Sequence, residues 1–544
     1  MQRGLMLLLA VVLLVWFGTL DYRHLVKPDE GRYAEIPREM TASGDWLTPR
    51  LNDIKYFEKP ALQYWATAAA YKLFGEHEWT ARLWSALTGF LGVALVYFTG
   101  RRLWGAEAGL YAAAVLASSL LYVLIGHLNT LDMGVTFFMG LSLAGFLLAQ
   151  RPSAGSGENR LWMHVTWAAL AFSVLSKGLI GLVLPGAVLV LYTLIERDWG
   201  LWKRLHLLSG LALFLAISAP WFIAVSLANP EFFHFFFIHE HFERFLTKVH
   251  HRYQPWWSFV PVLTLGILPW ITLMVDALAR AWQGDTGGPK DFKPQRFLLI
   301  WSAFIFLFFS ASSSKLPSYI LPIFPALALL IGVRLTQVST RALFWMLVPI
   351  AVLAGAALLL SPFAVAFASA EVPVELYRTY AQWLAAAALV WLLGSLLGLY
   401  LLKKERRRAG ILAFSLSGLI FAQTALTGHE SLSPSNSAWL VARQIQPYLK
   451  PDAPFYSVGM YDQTLPFYIK RSVTLVAFQD EMEFGLTQEP GKWLPTLADF
   501  EQAWRKQPYA LAIMPPDVYR QFKANGLPMQ RIAQDTRRVV IKKP

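Results

Sequence analysis

The chain has no cysteine among its 544 residues, which excludes disulfide bridges, thiol nucleophiles and cysteine-bound metals. Charge is scarce as well. Asp, Glu, Lys and Arg make up 15% of the residues, where a soluble domain carries about 25%. Hydrophobic residues reach 56% and aromatics 15%. Apolar runs of about twenty residues recur along the chain, the length needed to cross a hydrocarbon core of about 30 Å. The first run, Leu5 to Leu20, is followed by no small-residue cleavage site, only Asp21-Tyr22-Arg23, so it reads as a retained helix rather than a signal peptide. The net charge of +13 favours anionic partners, although part of the excess orients helices. Nucleic acid is not expected among those partners.

The basic residues order the spans. Arg3, Arg101-Arg102, Arg151 with Arg160, Lys203-Arg204, Arg280 to Arg296, Arg334 with Arg341, and Lys403 to Arg408 form successive clusters. If all face the cytoplasm, an even number of helices separates each neighbouring pair. Apolar segments near 5–20, 79–100, 106–126, 133–149, 164–176, 178–195, 207–227, 259–278, 297–310, 319–333, 342–360, 380–402 and 409–427 meet that condition. The reading is therefore a polytopic α-helical membrane protein of about thirteen transmembrane helices, N-terminus inside and C-terminus outside. The membrane region is assigned to 1–427, with a long first outer loop over 21–78.

Residues 428–544 read as a soluble α/β domain on the outer side. Strands are expected at Phe455–Val458, Val473–Ala477, Ala510–Met514 and Val539–Ile541, with helices at Ala438–Tyr448, Leu497–Lys506 and Asp517–Asn525. The domain lacks a glycine-rich phosphate loop and is given no chemistry of its own.

In this topology the unusual polar residues gather on the outer side. The first loop contains Asp29-Glu30-Gly31-Arg32-Tyr33 and Tyr56-Phe57-Glu58-Lys59-Pro60. A helix starting after Pro28, with Asp29 and Glu30 meeting its dipole, explains the acids blandly. The functional reading takes Asp29 as a catalytic carboxylate and Arg32, Lys55 and Lys59 as phosphate ligands, because the positive-inside bias disfavours basic residues here. Asp132, after Asn129-Thr130, either caps the fourth helix or is a carboxylate kept at membrane depth for function. Lys177, in Ser176-Lys177-Gly178, either snorkels or binds an anion.

Five of the eleven histidines fall between His234 and His251, in a stretch that includes His239, Arg244 and several phenylalanines. Imidazole with carboxylate suits a divalent metal, but no recognised zinc spacing is present, and an interfacial aromatic helix fits equally. Arg244 suits bidentate phosphate binding. Ser312-Ser313-Ser314-Lys315-Leu316-Pro317-Ser318-Tyr319 is either a polar hairpin turn or a place where Lys315 and Tyr319 close over an anion. Together these groups suggest a phosphate-handling cavity at the membrane surface.

The string from Asp29 to Met40, Gly44-Asp45-Trp46, Tyr56 to Pro60, and the Ser-Lys-Gly, His-Glu-His-Phe-Glu-Arg and Ser-Ser-Lys-Leu-Pro-Ser-Tyr segments resemble the GT-C class of lipid-linked glycosyltransferases. More narrowly, they resemble the 4-amino-4-deoxy-L-arabinose transferases related to protein O-mannosyltransferases. That resemblance implies an undecaprenyl phosphate-linked sugar donor and lipid A phosphates as acceptor. It also implies a multi-pass protein of the bacterial inner membrane, acting as a monomer among membrane lipids and conferring resistance to polymyxin and cationic peptides. It makes Asp29 the catalytic aspartate and Asp132 a second acidic position. Lys59, Arg244 and Tyr319 match carrier-phosphate positions, with Tyr56 and Arg32 nearby. No cofactor is required; a divalent metal such as zinc, if one binds, belongs at Glu58 and His239. Transfer to a hydroxyl of a protein or polysaccharide is the alternative chemistry, with Asp29 as general base. A lipid flippase is the alternative class, although no internal repeat is evident.

Overall fold

Helices occupy all thirteen expected spans in the computed structural model, which describes residues 2–243, 254–285 and 291–544. The chain opens with α1 (Gln2–Phe17), α2 (Asp29–Ser43), α3 (Leu62–Phe74) and α4 (Glu78–Trp104). It continues through α5 (Ala106–Ser118), α6 (Leu120–Gly126), α7 (Asp132–Ala149), α8 (Ser156–Lys177), α9 (Ile180–Glu196) and α10 (Leu207–Ala228). Among the described residues, eight helices are long and apolar enough to cross a membrane, or ten if each of two bent pairs counts as one span.

Those bends correct the straight spans expected from sequence. Helices α5 and α6 meet at 66° across Ser119, whose backbone is extended, and Trp256–Gly266 meets Ile271–Ala281 at 115°. Hydropathy over either pair is continuous and does not reveal the break, although Pro269 stands within the second.

Burial sorts the spans into inner and outer ones. In α7 and in Pro317–Gln337, 83% of the most apolar window lies inside the protein, against 28% in Thr340–Phe367 and Val374–Lys403. The inner helices bring Asp132 and Tyr319 to one end of the bundle. The first loop packs on that same end: α2 and α3 flank a two-stranded hairpin of β1 (Arg50–Leu51) and β2 (Ile54–Lys55). Helix α4 begins with a reciprocal box between His77 and Thr80, an arrangement that satisfies two otherwise orphaned amides.

The C-terminal region is a six-stranded sheet. Its strands are β3 (Phe455–Val458), β4 (Thr474–Val476), β5 (Trp493–Leu494), β6 (Leu511–Met514), β7 (Gln530–Gln534) and β8 (Val539–Lys542), in the order β5-β4-β3-β6-β8-β7. The first four in that order run parallel, and β8 runs against both its neighbours. The four expected strands are present; β5 and β7 are additional. The polar strand β7 shows no apolar alternation from which it could have been read.

This sheet is tied to the first loop. Asn52 Nδ2 donates to Val473 O at 2.7 Å and Asn52 Oδ1 accepts from Val473 N at 2.7 Å, a side chain paired as a backbone edge would be. Gly31 lies against the backbone of Gln463 and Thr464, where a Cβ would sit 2.5 Å from the Gln463 carbonyl carbon. Within the sheet region itself, fully buried Arg538 holds Asp462 at 2.8 Å and Asp535 at 2.7 Å.

Candidate active site

The helix expected after Pro28 is present, with Asp29 and Glu30 in its first turn. The two acids point to different surroundings. Asp29 remains 44% exposed and accepts from Arg32 Nη1 at 3.1 Å. Arg32 Nη2 is ion-paired to Glu481, a carboxylate from the C-terminal region, and Gln463 holds the far oxygen of Glu481 at 2.8 Å. The guanidinium also lies 5.7 Å from the Tyr33 ring centre and 6.0 Å from that of Tyr56. Tyr33 in turn stacks with Tyr64 at 6.2 Å.

The Tyr56 and Tyr64 hydroxyls are buried and make no hydrogen bond among the described residues. Burial, and then the Glu58 carboxylate, pushes the Tyr56 phenol well above its usual range, so it stays a neutral hydroxyl beside two carboxylates and a guanidinium. Burial likewise raises the Glu481 carboxyl, with Arg32 pulling the other way. Lys59, beside Glu58, donates to the Glu58 carbonyl at 2.8 Å, and its Nζ lies 3.8 Å from the Glu58 carboxylate.

A second group forms where α7 begins and α8 ends. Asp132 and Lys177 are ion-paired with side chains 13% exposed, and the Lys177 ammonium sits 5.0 Å from the centre of the Tyr319 ring. Lys177 thus meets an acid and an aromatic face at this end of the bundle. Asp29 is close enough to act electrostatically on Lys177, which links the two groups.

Other expected positions lie elsewhere. Lys315 is buried and donates to the backbone carbonyls of Gln254, at 3.0 Å, and Ser312, whereas Tyr319 turns toward Lys177. The two residues expected to close over one ligand thus make different contacts here, Lys315 with backbone carbonyls and Tyr319 with Lys177. Lys55, expected as a phosphate ligand, is paired with Glu231 at 2.6 Å. Arg244 lies outside the described residues, as do Lys248 and His250 to Tyr253. His239 belongs to a π-helical stretch, His234–Glu243, and its ring stacks on Phe235 at 5.3 Å. Phe235 itself stacks on Phe484 at 3.8 Å. Among the described residues no group of three or more histidines and carboxylates is placed to hold a metal ion, so Glu58 and His239 form no such centre with a third ligand.

Glu481, Tyr33, Tyr64 and Arg82, which donates to Glu30 beside Asp29 at 2.7 Å, were missed by the sequence reading. An arginine inside an apolar span is a usable signal for Arg82. Glu481 carries none: it sits in a short helical turn some four hundred and fifty positions along the chain from Arg32.

This architecture has counterparts among known proteins. Residues 1–236 match the family model described as dolichyl-phosphate-mannose-protein mannosyltransferase, and 441–543 match that of the aminoarabinose transferase C-terminal domain. The crystal structure of ArnT from Cupriavidus metallidurans bound to undecaprenyl phosphate superposes with a TM-score of 0.95 at 42% identity, covering 99% of this chain and 98% of that one. The archaeal oligosaccharyltransferase AglB from Archaeoglobus fulgidus, at 12% identity and a TM-score of 0.51 over 94% of this chain and 70% of its own, shares the fold. A helical bundle with a charged, tyrosine-lined site at one end and a sheet region seated on it thus defines a membrane glycosyltransferase of the GT-C class.

Within that class the sequence relatives are specific. The undecaprenyl phosphate-alpha-4-amino-4-deoxy-L-arabinose arabinosyl transferase of Edwardsiella ictaluri is 30% identical over 89% of this chain and 88% of its own length. The corresponding transferase 1 of Proteus mirabilis is 37% identical, in an alignment that spans 61% of this chain and 59% of that enzyme, under two thirds of its length. The chain belongs to the family of undecaprenyl phosphate-alpha-4-amino-4-deoxy-L-arabinose arabinosyl transferases.

Proposed function

We propose that the protein transfers 4-amino-4-deoxy-L-arabinose from undecaprenyl phosphate to a phosphate of lipid A at the periplasmic face of the bacterial inner membrane. The observation that carries this reading is the joining of Asp29, Arg32, Tyr56 and Glu58 with Asp132, Lys177 and Tyr319 at one end of the bundle. The C. metallidurans protein of the same architecture binds undecaprenyl phosphate. The N-terminus is placed in the cytoplasm, residues 1–427 form the catalytic membrane domain, and 428–544 form a periplasmic domain. The protein acts as a monomer.

In the reaction the bond between the sugar's anomeric carbon and the carrier-phosphate oxygen breaks, and an acceptor-phosphate oxygen bonds to that carbon. Undecaprenyl phosphate leaves. Negative charge grows on the departing phosphate, and fixed cations at that point lower the barrier most. Lys59 and Arg244 have this role, with Lys177, Arg32 and the Tyr56 and Tyr319 hydroxyls completing the phosphate surroundings. The acceptor phosphate is already anionic, so no strong base is needed. Asp29 orients it or stabilises positive charge on the sugar ring. A lipid A product bearing a cationic sugar binds cationic peptides less well, which gives polymyxin resistance.

The test is to offer the same preparation lipid A and lipid A lacking both phosphates, and to follow labelled sugar. Incorporation only into the phosphorylated lipid is expected. Comparable incorporation into the dephosphorylated lipid would overturn the phosphate reading and make a hydroxyl the acceptor.

A further inference from the structure

Glu30 is adjacent to Asp29 and 3% exposed. Its Oε1 accepts from Arg82 Nε at 2.7 Å and from the Asn129 amide at 3.1 Å. Its Oε2 accepts from Arg82 Nη2 at 2.8 Å and from the Val26 amide at 3.0 Å. Arg82 is fully buried and uses all five of its N–H groups. Besides the two to Glu30, Nη1 donates to the carbonyls of Leu20 at 2.8 Å and Arg23 at 2.5 Å, and Nη2 to that of His24 at 3.0 Å. Arg23 extends the network, donating to the His127 carbonyl at 2.6 Å.

Three pieces of chain therefore meet on one carboxylate: the segment leading into α2, the start of α4, and the turn at Asn129 that leads into α7. Asp29 lies one residue from this point on the first piece, and Asp132 lies three residues from it on the last. A buried ion pair is a poor device for stability alone, since apolar residues of similar volume commonly serve as well or better. Its bidentate fork does fix direction, as no apolar contact would.

We propose that Glu30, held by Arg82, is a positioning residue that sets the spacing between Asp29 and Asp132. The inference rests on the reaction proposed above, because it assigns both acids to that site. Glu30 touches neither substrate. It acts by keeping the N-terminal turn of α2 in register with the start of α7.

Two variants test this in the full-length protein. Arg82→Lys keeps the charge but has no planar fork. The double variant Glu30→Gln with Arg82→Met removes both charges together, so that neither is left buried alone. Undecaprenyl phosphate binding, thermal midpoint, and kcat and KM for transfer to lipid A are measured for each. The expected result is carrier-lipid affinity like wild type in both, a thermal midpoint restored in the double variant, and kcat lowered by about a hundredfold in both, the size expected of a displacement near 1 Å. If the double variant recovers kcat along with its midpoint, the pair is only a stabiliser and the proposal falls. Equal loss of carrier-lipid binding and kcat would overturn it too, since the pair would then shape the whole pocket. If wild type proves to use a hydroxyl acceptor, the lipid A reading fails separately, and the same kcat comparison is made on that acceptor.

Discussion

Asp29 shares its guanidinium partner with Glu481, whereas Asp132 is paired one to one with Lys177. The first arrangement sets two carboxylates on one cation and leaves Asp29 at 44% exposure; the second is closed, with both side chains at 13%. An acid whose partner is shared and whose oxygens reach solvent is free to meet a ligand. A matched pair sealed under an aromatic face is held for structure or for electrostatic support until something displaces it. Both clusters set acid against base beside tyrosine rings, and they differ in stoichiometry and access.

The largest expected effect follows from that difference. Asp29→Asn should lower transfer by about a hundredfold to a thousandfold, with the thermal midpoint near that of wild type, because the Asp29 side chain is itself 44% exposed. Asp132→Asn leaves the Lys177 charge without its counter-ion in a nearly closed site, so it should cost stability as well, by about 3 kcal/mol. Parallel activity assays and thermal denaturation separate the two. A stability loss at Asp29→Asn as large as that at Asp132→Asn would mean that Asp29 serves α2 as a helix-end acid rather than the reaction.

A smaller effect is expected where the first cluster borrows from the C-terminal region. Gly31→Ala would place a methyl group 2.5 Å from the Gln463 backbone, and the contact relaxes only if α2 and the sheet region part. The change should cost about 1–3 kcal/mol, expose 428–544 to limited proteolysis, and weaken the Arg32–Glu481 contact. Gly44→Ala is the control, since a Cβ there meets nothing within 4 Å although its φ of +77° adds local strain. If both variants behave alike, the seating of the sheet region on α2 does not matter to the site.

These contrasts also explain what the sequence disclosed. Asp29, Arg32, Asp132, Lys177 and Tyr319 were visible as candidates because polar residues are conspicuous where hydropathy and the positive-inside bias predict few, whereas Tyr56 was a candidate only through the family resemblance. The thirteen apolar segments were visible for the same reason. Partners were not visible. Nothing in a tail with ordinary α/β patterning distinguishes Glu481 from its neighbours Asp480 and Glu483, and nothing in Lys315 says that its ammonium turns to backbone carbonyls. The kink at Ser119 is likewise hidden in a continuous apolar run, whereas the one before Ile271 is marked by Pro269, which cannot continue a helix. Glu30 shows the limit most sharply: beside Asp29 it is an equivalent charge, and only the location of Arg82 makes it a buried clamp.

The smallest effect concerns pH near neutrality, and here Asp29 and Glu30 are expected to part again. Burial pushes the Glu30 carboxyl up, but the Arg82 charge and hydrogen bond pull it down to about 2 from an ordinary 4.5. A carboxyl lowered in the folded state adds stability that is fully present above its unfolded value, and that is lost as pH falls through its folded value. The window for Glu30 is therefore from 4.5 down to about 2. Between pH 6 and 8, on the order of the range where the enzyme works, Glu30 stays ionised in both states and contributes no slope. Thermal midpoints of wild type should be flat with respect to this group there and fall on acidification below it. In the Glu30→Gln, Arg82→Met double variant the acid fall should be shallower, while the neutral range is unchanged. An acid limb equally steep in that variant would assign the loss to other carboxylates. A change appearing near neutrality would show that Glu30 exchanges its proton within the working range, which a carboxylate gripped by a five-donor guanidinium is not expected to do.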